Sequence, residues 1–525
     1  MRCRTISPDE AAGLINNGDV LMIGGNGGMA PEAVYAAVER RFQNTDTPRD
    51  LTLFHITGVG AADSDEKGLN HFAHRGLVKR VIGGNYGIQL KFMKTLIVPN
   101  EIEAYNFPQG VLSQMCRAIA AGQPGVITHV GLHTYMDPRL EGGRMNARTE
   151  EELIEVVELS GREWLFYKAP VPDIAFIRGT TADEDGYISM EHEPATREEL
   201  SIAMAVHNAG GKVVCQVERM ARGGSLHPQM VRIPGYLVDY IVVAPDQWQT
   251  YGTRFDPSAC GETQVPVSGI VPDPLDPRRV IARRAAMELR PHDVINLGVG
   301  ISAGIANVAA EEGLNDLVTL TVEAGVIGGV PGAFREFGTA KNPRAIIDQP
   351  YQFDFYDGGG LDAAFLSFAE VDPDGNVNVT RFGSRNDGAG GFINISQNAK
   401  RLVFSGTLTG GGLKVRIKDG GLEILEEGRF KKFVPKVGQV SYNGSWGRAR
   451  GQQVTFITER GVFTMTESGM VLREIAPGIR LREDLLDQIG FEIKVDPGLR
   501  EMDPLLFREG AMGLRDTFCS GLSGL

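Results

Sequence analysis

The chain has little of what marks several protein classes. Cysteine is scarce, with five in 525 residues (Cys3, Cys116, Cys215, Cys260 and Cys519) and no CxxC pair. An odd, scattered set excludes a disulfide framework and fits a reducing cytoplasm. Cys215 lies in the apolar run KVVCQV and reads as core. Long hydrophobic runs are missing too. None approaches ~18 residues, so no membrane span is expected, and the opening MRCRTISPDEAAGL lacks the apolar centre of a signal peptide. Net positive charge is absent. A formal charge of -13 and no basic stripe with interleaved aromatics argue against a nucleic-acid partner, but a phosphorylated ligand needs only a local basic pocket.

Glycine is what the chain has in quantity. Its 67 glycines fall beside strand-like runs, where they mark turns and close backbone approach, not disorder. A chain of 525 residues exceeds one hydrophobic core, so two α/β domains are expected, 1–270 and 278–525. In the first, the runs DVLMIGG, DLTLFHITG, LVKRVIGG, GVITHVG, DIAFIRG, KVVCQV and LVDYIVVA alternate with helical patterns such as EAVYAAVERRF, where Val34, Val38 and Phe42 share a side. That alternation predicts a mostly parallel, doubly wound sheet. Proline and turn residues from Pro245 to about Arg279 read as a linker. Beyond it the opening repeats: DVINLGVGIS echoes DVLMIGGNGG, and DLVTLTVEAGV echoes DLTLFHITGVG. Aligned on Asp50 and Asp316, Thr57 falls where Glu323 falls. The end of the chain is more antiparallel, with a hairpin signal at Asp419-Gly420 and a meander over Gln453 to Ile475.

The stretch Leu317 to Gly329, LVTLTVEAGVIGG, reads as a buried strand that stops at Glu323 and runs into small residues. Ligands of open α/β sheets bind at the carboxyl ends of strands. An ionised carboxylate there can attack a thioester carbonyl, giving a mixed anhydride and a thiolate that returns to the glutamyl carbonyl. The glycine turns at Gly24 to Gly28 and at Gly298, Val299 and Gly300 each follow a strand and precede a helix. They suit either close helix–sheet packing or backbone N–H groups presented to an anion, with Ser302 a candidate N-cap. In NDGAGGFINISQNAKR, Gly388, Gly390 and Gly391 form either a turn or a flat wall for a long, thin ligand, with Arg381, Arg385, Lys400 and Arg401 as nearby cations. The pair His71 and His74 has metal-like spacing but no partner pattern, so no metal is expected. Asp372 and Asp374 read as a turn.

TVEAGVIGG, NLGVGI, FYDGGGLDAAFLSFAEVDPDGNVNV, GGFINISQNAKRLVFSGTLTGGGL and TERGVFTMTESGMVLREIAPGIRL, with AYNFPQGVLSQMCRAIAAGQPGVITHVGLHTYMDPR and GSLHPQMVRIPGYLVDYIVV earlier, together resemble the family I coenzyme A transferases. The nearest branch is that of fused-subunit acetate or propionate CoA-transferases, and the likeness spans nearly the whole chain. The resemblance implies two related open α/β domains of the NagB/RpiA-like kind, an α-subunit-like half and a β-subunit-like half with added antiparallel structure. It implies ping-pong transfer of coenzyme A, a substrate and not a resident cofactor, between a short-chain acyl-CoA and a free carboxylate, in a homo-oligomer (dimer or tetramer). Carried over by position, Glu323 is the nucleophile and the N–H groups near Val299 and Gly390 are oxyanion donors. Gly298, Gly300, Gly388, Gly391 and Lys400 fall where coenzyme A would lie, and Asn26, Asn85 and Gln109 where the acyl group would. Three positions depart from relatives: Ser302 where proline is common, Asn26 where many carry an aromatic residue, and Asn85 in place of a common histidine. Rival readings are an acyl-CoA hydrolase using the same glutamate, a nucleotide-binding dehydrogenase, and a non-catalytic ligand-binding protein.

Overall fold

Two large sheets organise the computed structural model, which describes residues 3–266, 273–332 and 334–522. The first comes from β1 (Arg4–Ile6), β2 (Val20–Ile23), β3 (Leu51–His55), β4 (Val78–Gly83), β5 (Glu103–Asn106), β6 (Ile174–Arg178), β7 (Lys212–Val217) and β8 (Tyr240–Val243). Its order is β1-β8-β7-β6-β2-β3-β4-β5, and every pairing is parallel. The second comes from β9 (Val294–Leu297), β10 (Thr319–Val322), β11 (Val326–Ile327), β12 (Ala345–Ile346), β13 (Ala363–Ser367), β14 (Arg401–Ser405), β15 (Gln453–Ile457), β16 (Gly461–Thr466), β17 (Gly469–Ile475) and β18 (Lys494–Glu501). Its order is β12-β11-β10-β9-β13-β14-β15-β16-β17-β18, parallel from β10 to β15 and antiparallel through β15, β16 and β17.

Each sheet is covered on both faces. Along β2, Met22 enters one core while Leu21 and Ile23 enter the other, and along β13 Phe365 opposes Ala364 and Leu366. Successive side chains on a strand point to opposite faces, so near-continuous apolar strands require helices on both sides. Those that matter below are α1 (Glu32–Thr45), α2 (Gln109–Ala120), α3 (Glu199–Asn208), α4 (Pro277–Ala286), α5 (Gly304–Glu311), α6 (Gln349–Asp357) and α7 (Phe392–Asn398).

The sequence repeat is a structural repeat. Strands β8-β7-β6-β2-β3 and β15-β14-β13-β9-β10 have the same spatial and chain order, all parallel. Small devices recur with them. Asp173 Oδ2 accepts the Val20 N–H at 2.8 Å, and Asp362 Oδ2 accepts that of Val294 at 3.0 Å. The Gly24 N–H donates to Phe176 O at 2.9 Å, and that of Gly298 to Phe365 O at 2.7 Å.

The register corrects one detail. Thr52 pairs with Val20 and Thr319 with Val294, so Glu323 corresponds to Ile56, not Thr57. Two further expectations change. Gly125–Thr128 leaves the main sheet for a three-stranded antiparallel sheet with Ile154–Leu159 and Arg162–Lys168. The linker-like segment is packed against both halves where it is described: Tyr251 donates to Glu32 at 2.5 Å and Thr253 Oγ1 to Glu336 at 2.6 Å. Residues 267–272 of that segment lie outside the described ones.

Candidate active site

Glu323 stands at the carboxyl end of β10, but in a hairpin. Val322 pairs with Val326, and the Gly325 N–H donates back to Val322 O at 3.0 Å. Glu323, Ala324 and Gly325 therefore form a three-residue loop whose last member takes φ +97°, the left-handed closure such loops use. The Ile347 N–H donates to Gly325 O at 2.9 Å and ties the loop to the segment leading into α6. On its apolar side, Val322, Ala324 and Val326 pack with Met29 and Ala195 of the first half and Ala340 of the second. The loop thus sits where the halves meet.

The Glu323 carboxyl is half-buried, and burial pushes its pKa above the usual carboxylate range; its own backbone N–H and the Asn296 side chain oppose the rise. Asn296 lies on β9 opposite Thr321, within 3.4 Å of the Tyr356 hydroxyl, and its Oδ1 has no partner among the described residues. Tyr356, on α6, donates to Thr321 Oγ1 at 2.8 Å.

Val299 follows the neighbouring strand β9, so it stands at the same edge of the sheet as the Glu323 loop, 64% exposed. The Val299 carbonyl accepts from Ser367 Oγ at 2.8 Å, while its N–H has no partner among the described residues. Gly298 packs on Leu366, and Gly300, at φ +91°, on Ser367. Ser302 is not an N-cap. A short 3-10 turn, Gly300–Ala303, precedes α5, and the Ser302 hydroxyl is buried 3.4 Å from that of Ser367.

The glycine segment before α7 is a seam, not an open wall. The Gly390 N–H donates to Gly84 O at 2.7 Å, so Gly390 offers no free donor in this structure. Gly390 O accepts from the Gln109 N–H at 2.9 Å, Gly388 O accepts from Asn85 Nδ2 at 3.3 Å, and the Tyr86 N–H donates to Asp387 O at 2.7 Å. Gly391 packs against Phe353. Asn85 and Gln109 are thus brought to this seam, whereas buried Asn26 lies against Gly338 with both amide atoms unpartnered.

The cations proposed beside this segment are all engaged. Lys400 pairs with Asp362 at 2.7 Å, Arg401 with Asp293, Arg381 with Glu141 and Arg385 with Asp387. Lys400 precedes β14, so it stands at the strand-start end of the sheet, away from Glu323. The direction of the strand in the sequence already carried that signal. His71 sits between Glu32 and Glu39, at 2.9 and 2.5 Å, and His74 meets Glu39 at 2.7 Å. These partners come from α1, and no group of residues suited to a metal occurs among the described ones.

Several polar groups gather here that the sequence reading did not find. Gln349, first residue of α6, is fully buried with both side-chain amide atoms unpartnered among the described residues, and its backbone N–H donates to Arg197 O at 2.9 Å. Thr196 Oγ1 donates to Asp348 at 2.7 Å. Next in the chain, Glu198 is buried with neither carboxylate oxygen partnered; burial, then the charge of Glu199, pushes its pKa well up. Behind it Glu193 holds Arg178 at 2.9 Å and Arg197 at 3.1 Å. Buried polar atoms without partners are uncommon, and here Gln349 and Glu198 bring several of them to one region, with the Gln349 N–H close to Gly325 of the hairpin loop. The contacts that join Thr196 and Arg197 to Asp348 and Gln349 bridge 152 positions, so no local motif announced the cluster.

Comparison with known proteins decides the family. The Coenzyme A transferase family model matches residues 5–244. The acetate CoA-transferase YdiF of Escherichia coli K12 is 46% identical over 518 residues, 98% of this chain and 96% of the relative. The chain belongs to the coenzyme A transferase family. The transferase is also 43% identical to the caffeate CoA-transferase of Acetobacterium woodii over 518 residues, covering 97% of this chain and 98% of that one. Its structure matches the YdiF acyl-CoA transferase of E. coli O157:H7, apoenzyme and thioester complex with CoA, at TM-scores of 0.93 and 0.92. Each match has 45% identity and covers 98% of this chain and 97% of that one. Coenzyme A enters as a substrate, alongside acyl-CoA and carboxylate.

Proposed function

We propose that Glu323 is the nucleophile of this transferase, and that coenzyme A passes between a short-chain acyl-CoA (acetyl-, propionyl-, butyryl- or acetoacetyl-CoA) and a free carboxylate through a glutamyl-CoA thioester. The observation that carries the reading is the hairpin loop, which holds a carboxyl whose pKa is raised by burial at the same sheet edge as Val299, whose N–H has no partner among the described residues. The carboxylate oxygen attacks the thioester carbonyl, and the tetrahedral oxyanion takes the Val299 N–H, a contribution of roughly 3 kcal/mol for one such donor. Collapse expels the coenzyme A thiolate and leaves a mixed anhydride. The thiolate then attacks the glutamyl carbonyl, forming the enzyme thioester and releasing the first acid. A second carboxylate reverses the sequence. The loop sits where the halves meet, which limits the access of water to the thioester; a fully exposed glutamyl thioester would hydrolyse.

The two halves, 1–270 and 278–525, act as α-subunit-like and β-subunit-like domains. The enzyme works as a cytoplasmic homo-oligomer, dimer or tetramer, which light scattering and cell fractionation test. For the nucleophile, the test is acyl-CoA without acceptor, followed by borohydride and peptide mass analysis. Reduction at Glu323, ping-pong kinetics and loss of transfer in Glu323→Ala with an unchanged thermal midpoint are expected. Full activity of the alanine variant, or a label on another residue, overturns the assignment.

A further inference from the structure

The transferase must hold the phosphates of coenzyme A, and the cations near the glycine seam are all spent on carboxylates. A different lysine is not. Lys432 lies in the segment RFKK, whose strand Phe430–Lys431 pairs antiparallel with Thr409–Gly410. Its ammonium rests 4.3 Å from the ring centre of Phe368, the residue just after β13. It also comes within 2.7 Å of the point where a Cβ on Gly406, just after β14, would stand. The missing side chain at Gly406 is what admits it. The carboxyl ends of β13 and β14 lie on the same edge of the sheet as Glu323.

No hydrogen bond or ion pair engages Lys432 Nζ among the described residues. The carboxylate that acts on it, Glu459, is committed: one oxygen takes Arg460 Nε at 2.8 Å and the other the Leu408 N–H at 2.9 Å. Arg460 is in turn held by Glu427 at 2.7 Å. The neighbouring cations are occupied, Lys431 by Asp487 O at 2.7 Å and Arg429 by Gly411 O at 2.9 Å. Half-burial pushes the Lys432 pKa down to about 8. A charge held there without a counter-ion is expensive, and an anion would offset the cost.

Distance along the sheet fits one ligand. From the end of β10 to those of β13 and β14 is two to three strand spacings, roughly 10–14 Å at about 4.8 Å each. The pantetheine arm, with about the backbone length of four residues, spans roughly 14 Å between thiol and pyrophosphate. Past Lys432, Phe430 stands 64% exposed with the Arg429 guanidinium over its ring, a flat surface on the way out to solvent.

We infer that Lys432 is the cation that receives a phosphate of coenzyme A when the thiol end reaches Glu323. This rests on Glu323 being the acylated residue. The test compares acetyl-CoA with acetyl-pantetheine, which has the arm and no phosphate, and adds adenosine 3′,5′-bisphosphate as inhibitor. In Lys432→Met the ratio of kcat/KM for acetyl-CoA to that for acetyl-pantetheine should fall at least tenfold, and the inhibition constant of the bisphosphate should rise at least tenfold. Lys432→Arg should keep both within threefold of the parent. An unchanged ratio, or equal losses with both thioesters, overturns the inference. If Lys432→Met does not fold, Lys432→Gln is read by the same ratio. Borohydride labelling of the parent enzyme with each thioester separates the two proposals. A label at Glu323 with an unmoved ratio defeats only the Lys432 assignment, and a label elsewhere defeats the nucleophile.

Discussion

Gly325→Ala tests whether the hairpin loop, and not Glu323 alone, makes the site. Gly325 takes φ +97°, and a Cβ built on it would overlap the Ile347 carbonyl oxygen, a backbone atom with nowhere to swing. The left-handed conformation costs a non-glycine residue about 1 kcal/mol. Backing away from Ile347 also stretches its N–H bond to Gly325 O, 2.9 Å here, for about 1 kcal/mol more. The sum, roughly 2 kcal/mol, should lower the thermal midpoint by roughly 4–8 °C for a domain of this size. Activity should suffer more than stability. A loop displaced by about 1 Å takes the carboxylate out of attack geometry, a loss of about 100-fold. Gly328→Ala is the control: φ is also positive, at +75°, but the nearest atoms its Cβ would meet belong to the Arg344 side chain, Cγ at 2.9 Å, and not to backbone. The assays are steady-state transfer from acetyl-CoA to a free acid, and a thermal melt. A Gly325→Ala enzyme within threefold of the parent rate, or an equal rate loss in Gly328→Ala, would refute the reasoning.

Three further outcomes are expected. Asn296 opposes the upward shift of the Glu323 carboxyl, which must be ionised to attack, so Asn296→Leu should move the acid limb of kcat/KM to higher pH; an unmoved limb removes Asn296 from that role. Glu193 compensates Arg178 and Arg197 in a buried network, so Glu193→Gln should destabilise by about 3–5 kcal/mol in chemical denaturation, and a loss under about 1 kcal/mol would show that the network relaxes. Burial pushes Asp357 up to about 7, so the folded state binds its proton more tightly than the unfolded chain does. The stability this gives is full below pH 3.8 and is lost as pH rises to about 7; denaturation of Asp357→Asn across that window should show a smaller decline than the parent, and parallel curves would contradict it.

The sequence by itself determined the architecture and singled out Glu323 as the candidate for the chemistry. Apolar strands alternating with helices can only be buried on both faces, so parallel sheets followed from pattern alone, as did the two matching openings at Asp19 and Asp293. A glutamate ending such a strand at position 323 was legible for the same reason. What the tertiary structure decided were matters of register, strand end and partner. One residue of register separates Ile56 from Thr57 as the counterpart of Glu323, and only the pairing of Thr52 with Val20 and Thr319 with Val294 fixes it. The hairpin at Glu323 depends on β11 turning back, which a short apolar run does not reveal. Gly390 looked like an exposed donor until Gly84, more than 300 residues earlier, took its N–H. Lys400 and Lys432 are both lysines beside glycine-rich stretches. One lies at the strand-start end, tied to Asp362, and the other at the carboxyl edge over Phe368, without an ion-pair partner among the described residues. Sequence fixes which groups a chain carries, but whether a charge is spent or free depends on neighbours that only folding brings within a few ångströms.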